Sequence, residues 1–238
     1  YLLAVDGTEL RTDEDPYLQL RNKADRPVQL TVNSKPTMEG SRTVSFNPIA
    51  SEGNLIYLDW ITGNRNRVSK LSGGRVGYLH VPDMGSSGIY EFIKWYYGQI
   101  RKEGLVIDVR ANGGGNVSRM LIERLARKWL GLNYGRTDDQ ADTYPDGVFI
   151  GPQISILNEN SASDGDIFPA MFRGAGLGPL VGRRSWGGVV GISGRGPLLD
   201  GGTIFVPESG FANTKGEWTI EGYGVDPAVL LRIGSEVR

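Results

Sequence analysis

The chain has 238 residues, with 26 basic side chains against 27 acidic ones and a formal net charge of −1. That balance excludes a general affinity for nucleic acid or anionic membranes, and no run approaches the roughly 20 apolar residues of a membrane span. With no cysteine and one histidine, His80, disulfides, thiolate sites and a cysteine nucleophile are excluded and a zinc site would rest on carboxylates alone. No metal or cofactor is expected, and cytoplasmic residence fits.

The chain opens without methionine on Tyr1-Leu-Leu-Ala-Val5, which reads as mid-strand, so a piece of a longer polypeptide is expected. Leu2–Val5 predicts a strand, Asp6-Gly7 a turn, and 15–23 a short helix with Leu18 buried. Val28–Val32 alternates as a half-buried strand does. These few elements cannot bury a core alone. Residues 35–54, rich in Ser, Pro, Gly and Asn, read as a linker, and a second unit runs from 55 to 238 with a tight turn at Gly73-Gly74.

From there strands and helices alternate. Val76–Val81 predicts a strand and 87–102 a helix. Leu105–Val109 is a continuous apolar run, as in a strand buried on both faces. Met120, Leu121, Leu125 and Trp129 recur at helical spacing within 117–130. Gln153–Leu157 predicts another strand, followed by a helix after Ser163, a strand at Leu180-Val181 and a glycine-rich β region to Val206. The repeated unit predicts an α/β domain with a largely parallel sheet. Ligands of such sheets bind outside the carboxyl ends of the strands, where both 112–116 and 161–166 fall.

Two loops carry candidate chemistry. In Asn112-Gly-Gly-Gly-Asn116, three glycines let the backbone turn N–H groups toward an anion, or simply link strand to helix. Ser163 opens a helix as Ser-Asp-Gly-Asp166. There it is either a nucleophile beside unpaired N–H groups or a helix cap in a capping-box-like pattern with Asp166. Ser161 would face elsewhere. Glu221, read as lying where a strand turns into a Gly/Pro loop, could orient a base or be a solvated turn residue. His80, in an apolar strand, reads as a structural histidine.

Asp108-Val-Arg-Ala-Asn-Gly-Gly-Gly115, Asn158-Glu-Asn-Ser-Ala-Ser-Asp-Gly-Asp166, Trp186-Gly-Gly188 and Glu221-Gly-Tyr-Gly-Val-Asp-Pro227 occur here in that order. In this combination the chain resembles the tricorn-type members of the carboxyl-terminal processing serine peptidase family, over about residues 44–231. The resemblance implies a crotonase/ClpP-like catalytic subdomain, preceded in residues 1–34 by the second half of a PDZ-like domain. It implies peptide substrates, Ser163 as nucleophile, the N–H groups of Gly115 and Asp164 as oxyanion donors, and Glu221 as the acid of a Ser–His–Ser–Glu tetrad. Gly187 and Gly188 are implied in substrate binding.

The family's histidine and its neighbouring serine lie ahead of the PDZ-like domain, in a region these residues do not include. The chain is therefore expected to be nearly inactive alone and to need the missing part of the same protein. The family's acidic selector of basic side chains maps near Asn133, with Asp138 and Asp139 further on, so a basic preference is not expected. A homo-oligomer is compatible with the resemblance. Two other readings stay open: a degenerate peptidase serving as a peptide-binding scaffold by β-augmentation, and an acyl-CoA enzyme of the crotonase type.

Overall fold

A computed structural model describes residues 1–137 and 140–231. The chain divides into two compact units, Tyr1–Trp60 and Ile61–Arg238.

In the first unit, β1 (Leu2–Val5), β2 (Thr8–Glu9), β3 (Val28–Val32) and β4 (Arg42–Phe46) form one antiparallel sheet in the order β2-β1-β3-β4. Ala4, Val5 and Val28 are its buried residues. Two expectations fail here. The segment read as a linker supplies β4, which pairs with β3 over its whole length, from Val28 opposite Phe46 to Val32 opposite Arg42. Backbone pairing has overridden a polar, turn-like composition. The helix read over 15–23 is only a 3-10 turn, Pro16–Leu20, capped when the Asp15 carboxylate accepts the Tyr17 N–H at 2.9 Å. A turn that short buries no face, and Leu18 is 56% exposed.

Helix α1 (Gly53–Leu71) carries the chain into the second unit. There β5 (Val76–His80), α2 (Ser86–Tyr97), β6 (Gly104–Asp108) and α3 (Ser118–Leu125) follow. A small antiparallel hairpin comes next, β7 (Gly131–Asn133) with β8 (Asp142–Tyr144). Then come β9 (Gln153–Leu157), α4 (Asp164–Gly174), β10 (Leu180–Gly182), a ribbon of β11 (Gly191–Arg195) with β12 (Ile204–Ser209), and β13 (Val229–Leu230).

The main sheet is ordered β13-β10-β9-β6-β5, and every neighbouring pair is parallel. All five residues of β6 are buried, as expected of a central strand covered on both faces. Leu105 and Ile107 from β6, Phe92 and Tyr96 from α2, Leu121 and Leu125 from α3, and Phe168 and Phe172 from α4 share one core.

Two helices are shorter than their sequence patterns. Helix α2 stops at Tyr97, before Gly98. Beyond it the Gln99 side chain turns back onto β5, accepting the Tyr78 N–H at 2.8 Å and donating to the Tyr78 carbonyl at 3.0 Å. Helix α3 stops at Leu125, and Met120 and Trp129, counted in its apolar stripe, are exposed. No strand precedes Glu221; residues 218–225 are turn and irregular backbone.

A buried ion pair anchors the carboxyl end of β6. The Asp108 carboxylate is fully buried and accepts the Tyr78 hydroxyl at 2.7 Å. It also accepts Arg110 Nε at 3.0 Å, Arg110 Nη2 at 2.6 Å and the Arg110 N–H at 3.0 Å. Burial, with this carboxylate beside it, pushes the Tyr78 phenol up, and the hydrogen bonds to Asp108 push the Arg110 guanidinium up. The pair fixes the first residue of the glycine loop. Removing one partner of a buried pair leaves an uncompensated charge, which typically costs about 3–5 kcal/mol. Arg110→Met should lower unfolding stability by that amount in urea titration at neutral pH.

Candidate active site

The loops that follow β6 and β9 meet outside the sheet's carboxyl edge. After β6 the chain turns through Ala111, at φ 57°, into Asn112, whose side chain is fully buried. Asn112 Nδ2 donates to the Val81 carbonyl at 2.9 Å, and its Oδ1 accepts the Gly114 N–H at 3.0 Å. Its backbone carbonyl accepts the Ala162 N–H at 2.8 Å, which draws the β9 loop onto the glycine loop. Ser161 faces inward, donating its hydroxyl to the Val109 carbonyl at 2.8 Å, away from the reacting face.

Glycine is required twice in this loop. Gly114 lies at φ 100°, and a Cβ there would overlap the Ser163 Cβ and the Ala162 carbonyl. Gly115 lies at φ 149°, and a Cβ there would overlap the Met84 carbonyl. The sequence pointed to Gly115 alone. Gly114 is the residue against which Ser163 packs, and the run of glycines was its only sequence signal. Met84 braces the loop from the other side: its N–H donates to the Gly114 carbonyl at 2.8 Å, and its carbonyl accepts the Asn116 N–H at 2.8 Å.

Ser163 holds φ 56° and ψ −124° at the start of α4, and its side chain makes no capping bond. A capping box is therefore excluded: the hydroxyl does not bind the first turn. Such a backbone conformation costs a non-glycine residue of order 1–3 kcal/mol and persists only where its surroundings over-determine it. Among the described residues the Ser163 hydroxyl and the N–H groups of Gly115 and Asp164 have no hydrogen-bond partner.

The two acids that follow Ser163 are both committed. The Asp164 carboxylate accepts the Ser118 N–H at 2.8 Å and bonds the Ser118 hydroxyl. Asp166, fully buried, accepts the Gly187 N–H at 2.8 Å through Oδ1, while its Oδ2 lacks a partner at hydrogen-bond distance. Burial raises its carboxyl above the usual range, with Ser185, Gly187, Ser163 and Gly188 opposing the shift.

Glu221 reaches the same cluster through the backbone. Its Oε2 accepts the N–H groups of Val189 at 2.6 Å and Val190 at 3.0 Å, and the Gly222 N–H donates to the Gly187 carbonyl at 2.7 Å. Its Oε1 has no partner among the described residues. Gly187 is thus held by Asp166 at its N–H and by Gly222 at its carbonyl. Gly188 lies under Trp186, where a Cβ would overlap the indole.

Asn133 does not line the cavity that adjoins Asp164. It is exposed on β7 opposite Asp142, and Asp142 pairs with Arg101 at 2.9 Å. Asp138 and Asp139 lie outside the described residues. A cavity of about 450 Å³ adjoins Asp164, the residue after the serine, lined also by Ser118, Arg119, Ile122, Glu123, Ile167, Met171 and Phe211 among others. Among the described residues no cluster of candidate metal ligands is present, and no helix is long and apolar enough to cross a membrane.

His80 is buried, and its Nε2 donates to the Arg110 carbonyl at 2.9 Å. Since a carbonyl only accepts, Nε2 carries the proton of the neutral ring.

This geometry has known counterparts. The model of peptidase family S41 matches residues 75–231. The tricorn protease of Thermoplasma volcanium is 37% identical over 237 residues, covering 99% of this chain and 23% of its own. Tricorn protease homolog 1 of Streptomyces coelicolor is 40% identical over 228 residues, covering 96% of this chain and 21% of its own. The crystal structure of the tricorn protease superposes with a TM-score of 0.86 at 35% identity, covering 97% of this chain and 22% of that one. The chain belongs to peptidase family S41. Within that family it is similar to tricorn proteases, and it spans about a fifth to a quarter of the length of these relatives.

Burial holds the His80 imidazole below its ordinary value. The unfolded chain therefore takes up this proton first on acidification. Its contribution to stability is full above about pH 6.5 and is lost as pH falls toward the lowered folded value. As the one imidazole in the chain, it gives an unambiguous NMR titration. A midpoint below about 6.5 is expected; one at or above that value contradicts the buried, neutral assignment.

Proposed function

We propose that Ser163 is the nucleophile of a peptide hydrolase, attacking a peptide carbonyl to form an acyl-enzyme that water then releases. One observation carries this reading. The Ser163 hydroxyl is held in a strained backbone conformation without any capping bond, beside two backbone N–H groups that have no acceptor of their own. A helix cap would have used that hydroxyl. A nucleophile requires it uncommitted, and donors without acceptors suit an oxygen whose charge develops only during reaction.

The carbonyl oxygen of the tetrahedral intermediate would sit between the N–H groups of Gly115 and Asp164. Each donor of this kind is worth about 3 kcal/mol of transition-state stabilisation. Glu221, with Oε2 fixed by two backbone donors, has Oε1 left to orient the proton acceptor through a second hydroxyl. The acceptor itself is not His80, whose Nε2–H is spent on the Arg110 carbonyl inside the fold. The tetrad's histidine and serine would come from outside these residues, and the 238 residues alone would be nearly inactive. Residues 1–34 would be the second half of a PDZ-like domain.

The cavity beside Asp164 supports an apolar side chain on the acyl side of the cleaved bond, since Ile122, Ile167, Met171 and Phe211 line it, with Arg119 and Glu123 as its other charged members. A library of peptide substrates on the longer protein should favour apolar over basic residues there.

Labelling with a fluorophosphonate probe tests the nucleophile. The longer protein should be modified on Ser163, and Ser163→Ala should abolish labelling. The isolated chain should label at least about a thousandfold more slowly, because a hydroxyl without a base is a poor nucleophile. Equal, rapid labelling of the isolated chain would refute the need for an external base. No labelling of the longer protein would favour the scaffold.

A further inference from the structure

Two oxyanion donors are useful only if their spacing is fixed, and here they come from different loops. Gly115 follows β6 and Asp164 follows β9. On the side nearest the sheet the loops are tied by the Ala162 N–H to the Asn112 carbonyl. On the far side the tie is the Asp164 side chain itself. Its carboxylate grips both the N–H and the hydroxyl of Ser118, three residues beyond Gly115.

We infer that the Asp164 carboxylate and Ser118 form a positioning clamp that sets the distance between the two halves of the oxyanion hole. The inference rests on the reading of Ser163 as the nucleophile. Both partners are buried, Asp164 at 7% and Ser118 at 5% exposure. Ser118 is the first residue of α3, and Val117 before it supplies no side-chain cap. Its N–H is one of the donors a helix leaves open at its start, and Asp164 closes it from another segment of the chain. A carboxylate at that position is favoured by the helix dipole, and charge-assisted bonds are shorter and stronger than neutral ones.

The same residue thus contributes a backbone donor to the reacting oxygen and a side chain that locks the opposite loop. The two donors that engage the carboxylate also draw its negative charge toward α3, where it opposes the developing oxyanion less. Loosening the clamp should therefore weaken binding of the tetrahedral intermediate more than binding of the unreacted peptide, which also meets Ser118 and Asp164 in the cavity they line. That pattern lowers kcat.

The test uses the longer protein, with Ser118→Ala removing one arm of the clamp and Asp164→Ala removing both. Steady-state cleavage of a fluorogenic peptide and inhibition by a matching peptide boronate are measured beside urea unfolding. Loss of a whole donor costs about 10²–10³ in kcat, so displacement should cost about tenfold for Ser118→Ala and about a hundredfold for Asp164→Ala. Boronate affinity should fall in parallel with kcat/KM. If Asp164→Ala does not fold, Ser118→Ala decides, because it retains the backbone arm. The clamp is refuted if kcat is unchanged, if kcat falls only with the folded fraction, or if kcat falls while boronate affinity does not. Wild-type protein that fails to label on Ser163 would overturn the nucleophile reading and the clamp with it. Normal wild-type labelling with unaffected variants would overturn the clamp alone.

Discussion

The site depends first on Asn112. One buried amide and its own backbone join the ends of three neighbouring strands: the side chain donates to Val81 beyond β5 and accepts from Gly114 beyond β6, and the carbonyl accepts from Ala162 beyond β9. A parallel sheet delivers these ends to one edge, but it does not fix the loops relative to each other. The Asn112 bonds do so at short range. They leave so little room that Gly165 can carry no Cβ, which would overlap the Asn112 carbonyl. In a buried setting each bond is costly to lose, because the orphaned group is not rehydrated.

Around that node the structure is built from backbone donors and carboxylates. Asp108 anchors Arg110, Asp164 holds Ser118, Asp166 holds Gly187 and Glu221 holds Val189 and Val190. Asp164, Asp166 and Glu221 each tie one loop to another, while Asp108 holds the start of its own. Asp166 is the most exposed to cost: with Oδ2 unpartnered and its carboxyl pushed up by burial, it is the least satisfied group of the cluster. The strained Ser163 backbone is held in the same way, by neighbours on both sides rather than by its own helix.

Much of this was legible in the sequence because the physical signals were local. The buried run Gly104–Asp108, the strand Gln153–Leu157 and the junction at Ser163 follow from apolar runs ending in Gly, Asn and Ser. The pairing of β4 was not legible, since a polar edge strand has no period that distinguishes it from a loop and its register is set by β3. Nor were the ends of α2 and α3, where Gln99 and Ala126 close the helices through contacts the spacing of apolar residues does not encode. In sequence Asp164 reads only as a backbone donor, and Asp166 only as the partner of a Ser163 cap. Their partners, Ser118 and Gly187, are 46 and 21 residues away in sequence, and only the closed fold brings them together.

In the proposed mechanism two loops converge on one developing negative charge at Ser163. A crystal structure of the longer protein carrying a peptidyl phosphonate bonded to the Ser163 side-chain oxygen tests this. One phosphoryl oxygen should lie within hydrogen-bonding distance, about 2.7–3.1 Å, of both the Gly115 and Asp164 backbone nitrogens, with the Asp164–Ser118 contact intact. An adduct whose oxygen points away from both nitrogens would contradict that mechanism.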